Sequence, residues 1–127
     1  MMQRATVQVV GPGDRSSRGP QTPGMRREEA FVDEGSWVGL VRSEPGQVSG
    51  WHHHGEYETF FFCVSGRVLL EHGPGGREAA EARSGDFARI PKGVVHRESN
   101  PEDEESVAVV FRWGSGVPVV NVEGPDA

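Results

Sequence analysis

Past Ser36 the chain is a series of short apolar, β-branched and aromatic runs, each closed by Gly, Pro, Asn or Asp. Residues 37–41 (W-V-G-L-V) predict a strand that stops at the turn Glu44-Pro45-Gly46. Residues 59–64 (T-F-F-F-C-V) have strong strand preference, and Ser65-Gly66 turns them into residues 67–71, which predicts a hairpin. Gly73-Pro74-Gly75-Gly76 signals a second hairpin into residues 77–82. There R-E-A-A-E-A-R favours helix by propensity but is short for an independent one. Further strands are expected over 87–90, 94–99 and 106–113, with an acidic surface turn over 100–105. Residues 117–122 read as an edge strand, the position that tolerates Pro118. Upstream, residues 7–10 and 25–32 are expected as strands on either side of an aperiodic segment rich in Gly and Pro, 11–24. Eight to ten strands, no long helix and no fixed repeat predict an all-β sandwich or closed barrel.

Composition narrows this without changing it. Apolar residues make up only 35% of the 127-residue chain, while Gly 18 and Pro 9 supply many tight turns. The length suits one domain with a core and a pocket. Residues 1–34 read as an N-terminal strand and irregular arm packing on the barrel or on a partner, 35–122 as a single β-barrel domain and 123–127 as a short tail. The lone Cys63 excludes an internal disulfide. The first ten residues lack the apolar core of a signal peptide, and no run approaches the about 18 residues of a membrane span. A cytoplasmic, soluble protein is expected. A net charge of −6 with a single Lys argues against nucleic-acid and anionic-membrane partners. Arg15, Arg18, Arg26 and Arg27 form a local basic exception, read as a solvated loop.

The candidate chemistry sits in W-H-H-H-G-E-Y-E, directly ahead of the most apolar strand. Alternate residues of a strand share a face, so His52 and His54 can point inward together while His53 points out. Metal ligands must converge from separate strands, and His96, following P-K-G-V-V, is the further histidine in a turn-bounded β context. His72 abuts the 73–76 hairpin and reads as exposed. Imidazoles with a carboxylate suit a divalent transition metal such as Fe, Mn, Ni, Co or Zn. Phe60, Phe62 and Val64 share one parity and Phe61 and Cys63 the other, the latter two read as packing residues. Tyr57, Arg42, Arg89, Arg97 and Glu98 could face a pocket, though a structural or surface role is favoured for each. An Arg inside the barrel would imply an anionic substrate.

Two longer patterns carry a resemblance. Gly46, five residues, His52-His53-His54, three residues and Glu58 form the first; Gly85, five residues, Pro91-Lys92-Gly93, two residues, His96, three residues and Asn100 form the second. These resemble the two motifs of the cupins. The resemblance implies a double-stranded β-helix, or jelly-roll β-barrel, with a metal held near one mouth by His52, His54, Glu58 and His96. One spacing departs: seven residues rather than six separate Glu58 from Gly66, so counting back from Gly66 lands on Thr59. Either a β-bulge absorbs the extra residue, or the fourth ligand differs, with Glu56 or water as competitors. Open positions on the cation would suit a small metal-dependent enzyme, dioxygenase-like, acting on a small oxygen-rich or aromatic molecule. The alternatives are a redox-silent isomerase, epimerase or lyase and a non-catalytic small-molecule sensor. A homodimer is expected by analogy.

Overall fold

A computed structural model describes residues 5–19 and 21–127, so the start of the expected arm, residues 1–4, lies outside the described residues. Ten strands run in order: β1 (Met25–Asp33), β2 (Ser36–Ser43), β3 (His52–His53), β4 (Glu58–Ser65), β5 (Arg67–His72), β6 (Glu78–Arg83), β7 (Phe87–Ile90), β8 (His96–Ser99), β9 (Ser106–Trp113) and β10 (Val120–Asn121). They make two five-stranded antiparallel sheets, ordered β1-β2-β9-β4-β7 and β10-β3-β8-β5-β6. No α-helix occurs among the described residues. This is the double-stranded β-helix: β1 with β2 and β5 with β6 pair as chain neighbours, and the other pairings join strands distant in sequence.

The alternation of buried and open positions shows how the sequence closes the barrel. In β2, Trp37, Gly39, Val41 and Ser43 are buried while their neighbours are half-buried. In β4, Thr59, Phe61 and Cys63 point in and Phe60, Phe62 and Val64 point out. In β9, Ser106, Ala108, Val110 and Arg112 face inward. Val68 and Leu70 of β5 and Ala82 of β6 close the core from the second sheet. Phe61 and Cys63 therefore pack as expected, and Cys63 is fully buried.

Two local expectations are corrected. Residues 59–64 and 67–71 do not form a hairpin: β4 pairs with β7 and β9, and β5 pairs with β6 and β8. The chain changes sheets at Gly66, whose φ of 79° is left-handed and whose added Cβ would meet the Ser106 Cα at 2.9 Å. Two inward faces must line one core, so the link is a corner rather than a tight turn. The second expected hairpin does form, with its strand at 78–83: pairing with β5 from Arg67↔Arg83 to His72↔Glu78 outweighs the helix propensity of E-A-A-E-A. Residues 7–10 form no strand.

Strand β1 is an edge of the first sheet, paired along β2. The preceding segment bridges back to it through Ser16↔Glu29. Its arginines are not all solvated: Glu28 receives Arg15 Nε at 3.3 Å, Arg26 at 2.7 Å and Arg42 Nε at 2.7 Å. Burial works to raise the Glu28 pKa, but hydrogen bonds from Arg42 and Arg26 prevail and hold it below the usual carboxylate value. The folded state thus binds its proton less readily than the unfolded chain, and this stability is present above about pH 4.5 and fades as pH falls through the folded value. Glu28→Gln is expected to cost about 1–2 kcal/mol at neutral pH. In chemical denaturation across pH, the variant and wild-type curves should converge in acid; parallel curves would discount the cluster.

Candidate metal centre

The His triplet enters the barrel at its mouth. His52 lies in β3 opposite His96 of β8, and β8 is fastened on its other flank to β5. Parity decides the rest: His52, His54 and His96 are each no more than 2% exposed, while His53 is half-buried and accepts the Gly55 N–H on Nδ1 at 3.0 Å. The three inward rings lie 4.3–5.2 Å apart by centroid.

Each ring is oriented from behind. Nδ1–H of His52 donates to the Gly50 carbonyl at 2.9 Å, that of His54 to Pro118 at 2.8 Å and that of His96 to Val94 at 2.9 Å. Such a bond selects the tautomer and leaves the Nε2 lone pair turned to the interior. Nε2 of His52 and His54 is buried with no hydrogen-bond partner. Buried imidazole nitrogens without a protein partner are the arrangement that a cation relieves.

The carboxylate in the group is Glu98, two residues past His96 and on the same face of β8. Its Oε1 lies 3.1 Å from His96 Nε2 and 3.6 Å from His52 Nε2. Ligand atoms of His52, His54, His96 and Glu98 all fall within 4.8 Å of one another, so these four could hold a metal ion. Ser49 sets the height of Glu98: its N–H donates to the Glu98 carbonyl at 2.8 Å and its Oγ accepts the Glu98 N–H at 2.9 Å. Burial works to raise the Glu98 pKa, yet the nearby His52 and His96 hold it well below the ordinary range. Burial, reinforced by Arg112 and His96, lowers the His54 pKa to about 2, which keeps that ring neutral and able to ligate.

Glu58 lies elsewhere. It occupies the outward parity of β4, where Arg89 Nε donates to it at 3.2 Å and the Lys92 backbone N–H at 2.9 Å. The hydrogen bond from Arg89 holds its pKa below the usual value. A bulge does exist in β4, between Cys63 and Ser65, but Thr59 is the residue that faces the histidines' side. Glu56 is exposed in the turn after His54. A signal for Glu98 was present in the sequence, since residue 98 shares the face of residue 96 by strand period. His72, expected to be exposed, is half-buried opposite His96. Both line a mainly apolar cavity of about 400 Å³ between β6 and β7, with Leu70, Phe87 and Ile90.

The second motif's other residues hold the mouth together. The Gly93 N–H donates to the Gly55 carbonyl at 3.0 Å, joining the turn before His96 to the turn after His54. Asn100, buried, donates through Nδ2 to the carbonyls of Ser43 and Glu104 at 3.1 and 2.7 Å.

Comparison with known proteins agrees with this fold. Among curated proteins, no relative matches the chain. A solved cupin domain from Bordetella pertussis is 30% identical, with 76% of this chain and 100% of that one covered and a TM-score of 0.61. A Klebsiella pneumoniae conserved protein with a double-stranded β-helix domain is 21% identical over 84% of this chain and 91% of its own, at a TM-score of 0.69. Bacillus subtilis oxalate decarboxylase is similar in fold over 78% of this chain but only 28% of its own length, at 21% identity and a TM-score of 0.66. The cupin domain model matches residues 39–112, which span both histidine motifs. The chain belongs to the cupin domain family.

Proposed function

We propose that the protein is a mononuclear metal-dependent enzyme, with His52, His54, His96 and Glu98 as ligands, acting on a small oxygen-rich or aromatic molecule in a dioxygenase-like reaction. The observation that carries this is the set of three Nδ1-anchored imidazoles converging on one carboxylate, two of them with orphaned Nε2 atoms. A divalent cation with open positions would supply Lewis acidity and, if it is iron or manganese, redox capacity toward O₂. The protein's part is to hold the ligand set neutral except for Glu98, to keep water away with the apolar wall of Leu70, Ile90 and Val94, and to admit substrate past His96. Oxalate decarboxylase among the similar folds supports an enzymatic reading at the level of fold alone. The single, buried Cys63 suits a reducing compartment such as the cytoplasm.

The exterior supports pairing of two copies. Phe60 stacks on Trp113 and Phe62 lies against Phe87 on the outer face of the first sheet, where Phe87 is 81% and Trp113 51% exposed. An aromatic face this open is a common basis of association.

Elemental analysis of purified protein should find about one transition-metal ion per chain. His52→Ala and His96→Ala should lose it, and Glu98→Gln should weaken it about 10–100-fold or more, while Glu58→Gln keeps it. Loss in the Glu58 variant with retention in the Glu98 variant would return the fourth-ligand role to Glu58. Oxygen uptake with catechols, diketones and flavonols, dependent on added Fe or Mn, is the expected activity. Turnover without oxygen would favour the isomerase or lyase alternative, and binding without turnover a sensor. In sedimentation, wild type should run as a dimer and Phe87→Asp/Trp113→Asp as a monomer; identical mass for both would discard this interface.

A further inference from the structure

On the opposite side of the histidines, the interior is cationic. Arg112 of β9 is 5% exposed and Arg27 of β1 is 4% exposed, and both point into the barrel. Arg112 sits across the ladder from Thr59 and from Trp37, with its guanidinium 5.0 Å from the Trp37 ring centroid. Its Nε is buried without a hydrogen-bond partner, and among the described residues no carboxylate forms an ion pair with it. Thr59 is 2% exposed and its Oγ1 is likewise buried and unpaired. Thr59, Arg112 and Arg27 line one small cavity with the candidate ligand Glu98, of about 20 Å³. That volume accepts one water-sized group, or the end of a ligand, and no more.

A guanidinium with no hydrogen-bonded carboxylate is expensive to bury, and the short Thr59 beside it leaves room for oxygen atoms. Burial and the neighbouring Arg27 lower the Arg112 pKa to about 10, which still leaves it charged at neutral pH. We propose that this cavity is an anion subsite, in which Arg112, with Thr59 Oγ1 beside it, receives the carboxylate of a small anionic substrate lying against the metal. The assignment rests on the metal-centre reading for its placement and adds the substrate class: a carboxylic acid. Planar, two-pronged donation is what a guanidinium offers a carboxylate and what Lys cannot reproduce. Thr59 matters by being short, because a longer acid there would fill the subsite from within.

The test is calorimetric titration of the metal-loaded protein with acetate and with oxalate, chloride serving as control, and metal content measured on the same samples. Wild type should bind the carboxylates in preference to chloride. Arg112→Lys should weaken them at least tenfold and Thr59→Glu should abolish their binding, both with metal retained. Binding within twofold of wild type in Thr59→Glu, or no carboxylate binding by metal-replete wild type, overturns the subsite, as does equal binding of chloride. Should Arg112→Lys fail to fold, Thr59→Glu decides. Wild type that holds no metal but binds carboxylates through Arg112 supports the subsite and overturns the metal-centre reading; neither metal nor carboxylate overturns both.

Discussion

Everything at the barrel mouth depends on one contact, the Glu98 carboxylate against the Nε2 atoms of His96 and His52 at 3.1 and 3.6 Å. A carboxylate in a closed interior carries a large desolvation cost, which only close partners offset. With Nδ1–H committed to backbone carbonyls, the Nε2 atoms of His96 and His52 meet the carboxylate as acceptors, and a shared proton or a cation is what can join them. Electrostatics in so dry a space are strong in both directions, so the charges across the barrel matter as much as those in contact. The buried guanidiniums of Arg27 and Arg112 lie on that far side, and Glu98 interacts electrostatically with both.

The two sheets divide the labour. The second sheet brings the metal-type ligands, on β3 and β8, with Ser49 pinning the backbone of Glu98. The first sheet brings the wall that faces them, apolar at Phe61 and Val110 and cationic at Arg112. Corners that pass the chain between sheets are narrow: Gly66 has no space for a side chain beside Ser106, and Asn100 ties the carbonyls of Ser43, Glu44 and Glu104 together. Rigidity at these corners holds the ligands in place without a helix or a disulfide.

Much of this was legible from residue spacing. The period of two in residues 52–54 selects His52 and His54 and rejects His53, and the turn Pro91-Lys92-Gly93 announces His96. The same period applied to residues 96–98 points to Glu98, whereas the first motif points to Glu58, the carboxylate that follows its histidines. Within β4 the two readings compete, and the buried Phe61 and Cys63 decide between them by placing Thr59 inside and Glu58 outside. The expected hairpin at Gly66 shows the complementary weakness: a Ser-Gly turn states that the chain reverses, not which sheet it joins.

By itself the sequence determined the all-β class, most strand positions, the family motifs and three of the four candidate ligands, because alternation and turn chemistry are local properties. Only the tertiary structure decided the partners of β4, the outward placement of Glu58 beside Arg89, and the meeting of Glu98 with histidines more than 40 residues upstream. It also decided that Arg27 and Arg112 are buried rather than solvated. Those are questions of what lies across a 10 Å gap between two sheets, and no local preference of a residue encodes what will face it there.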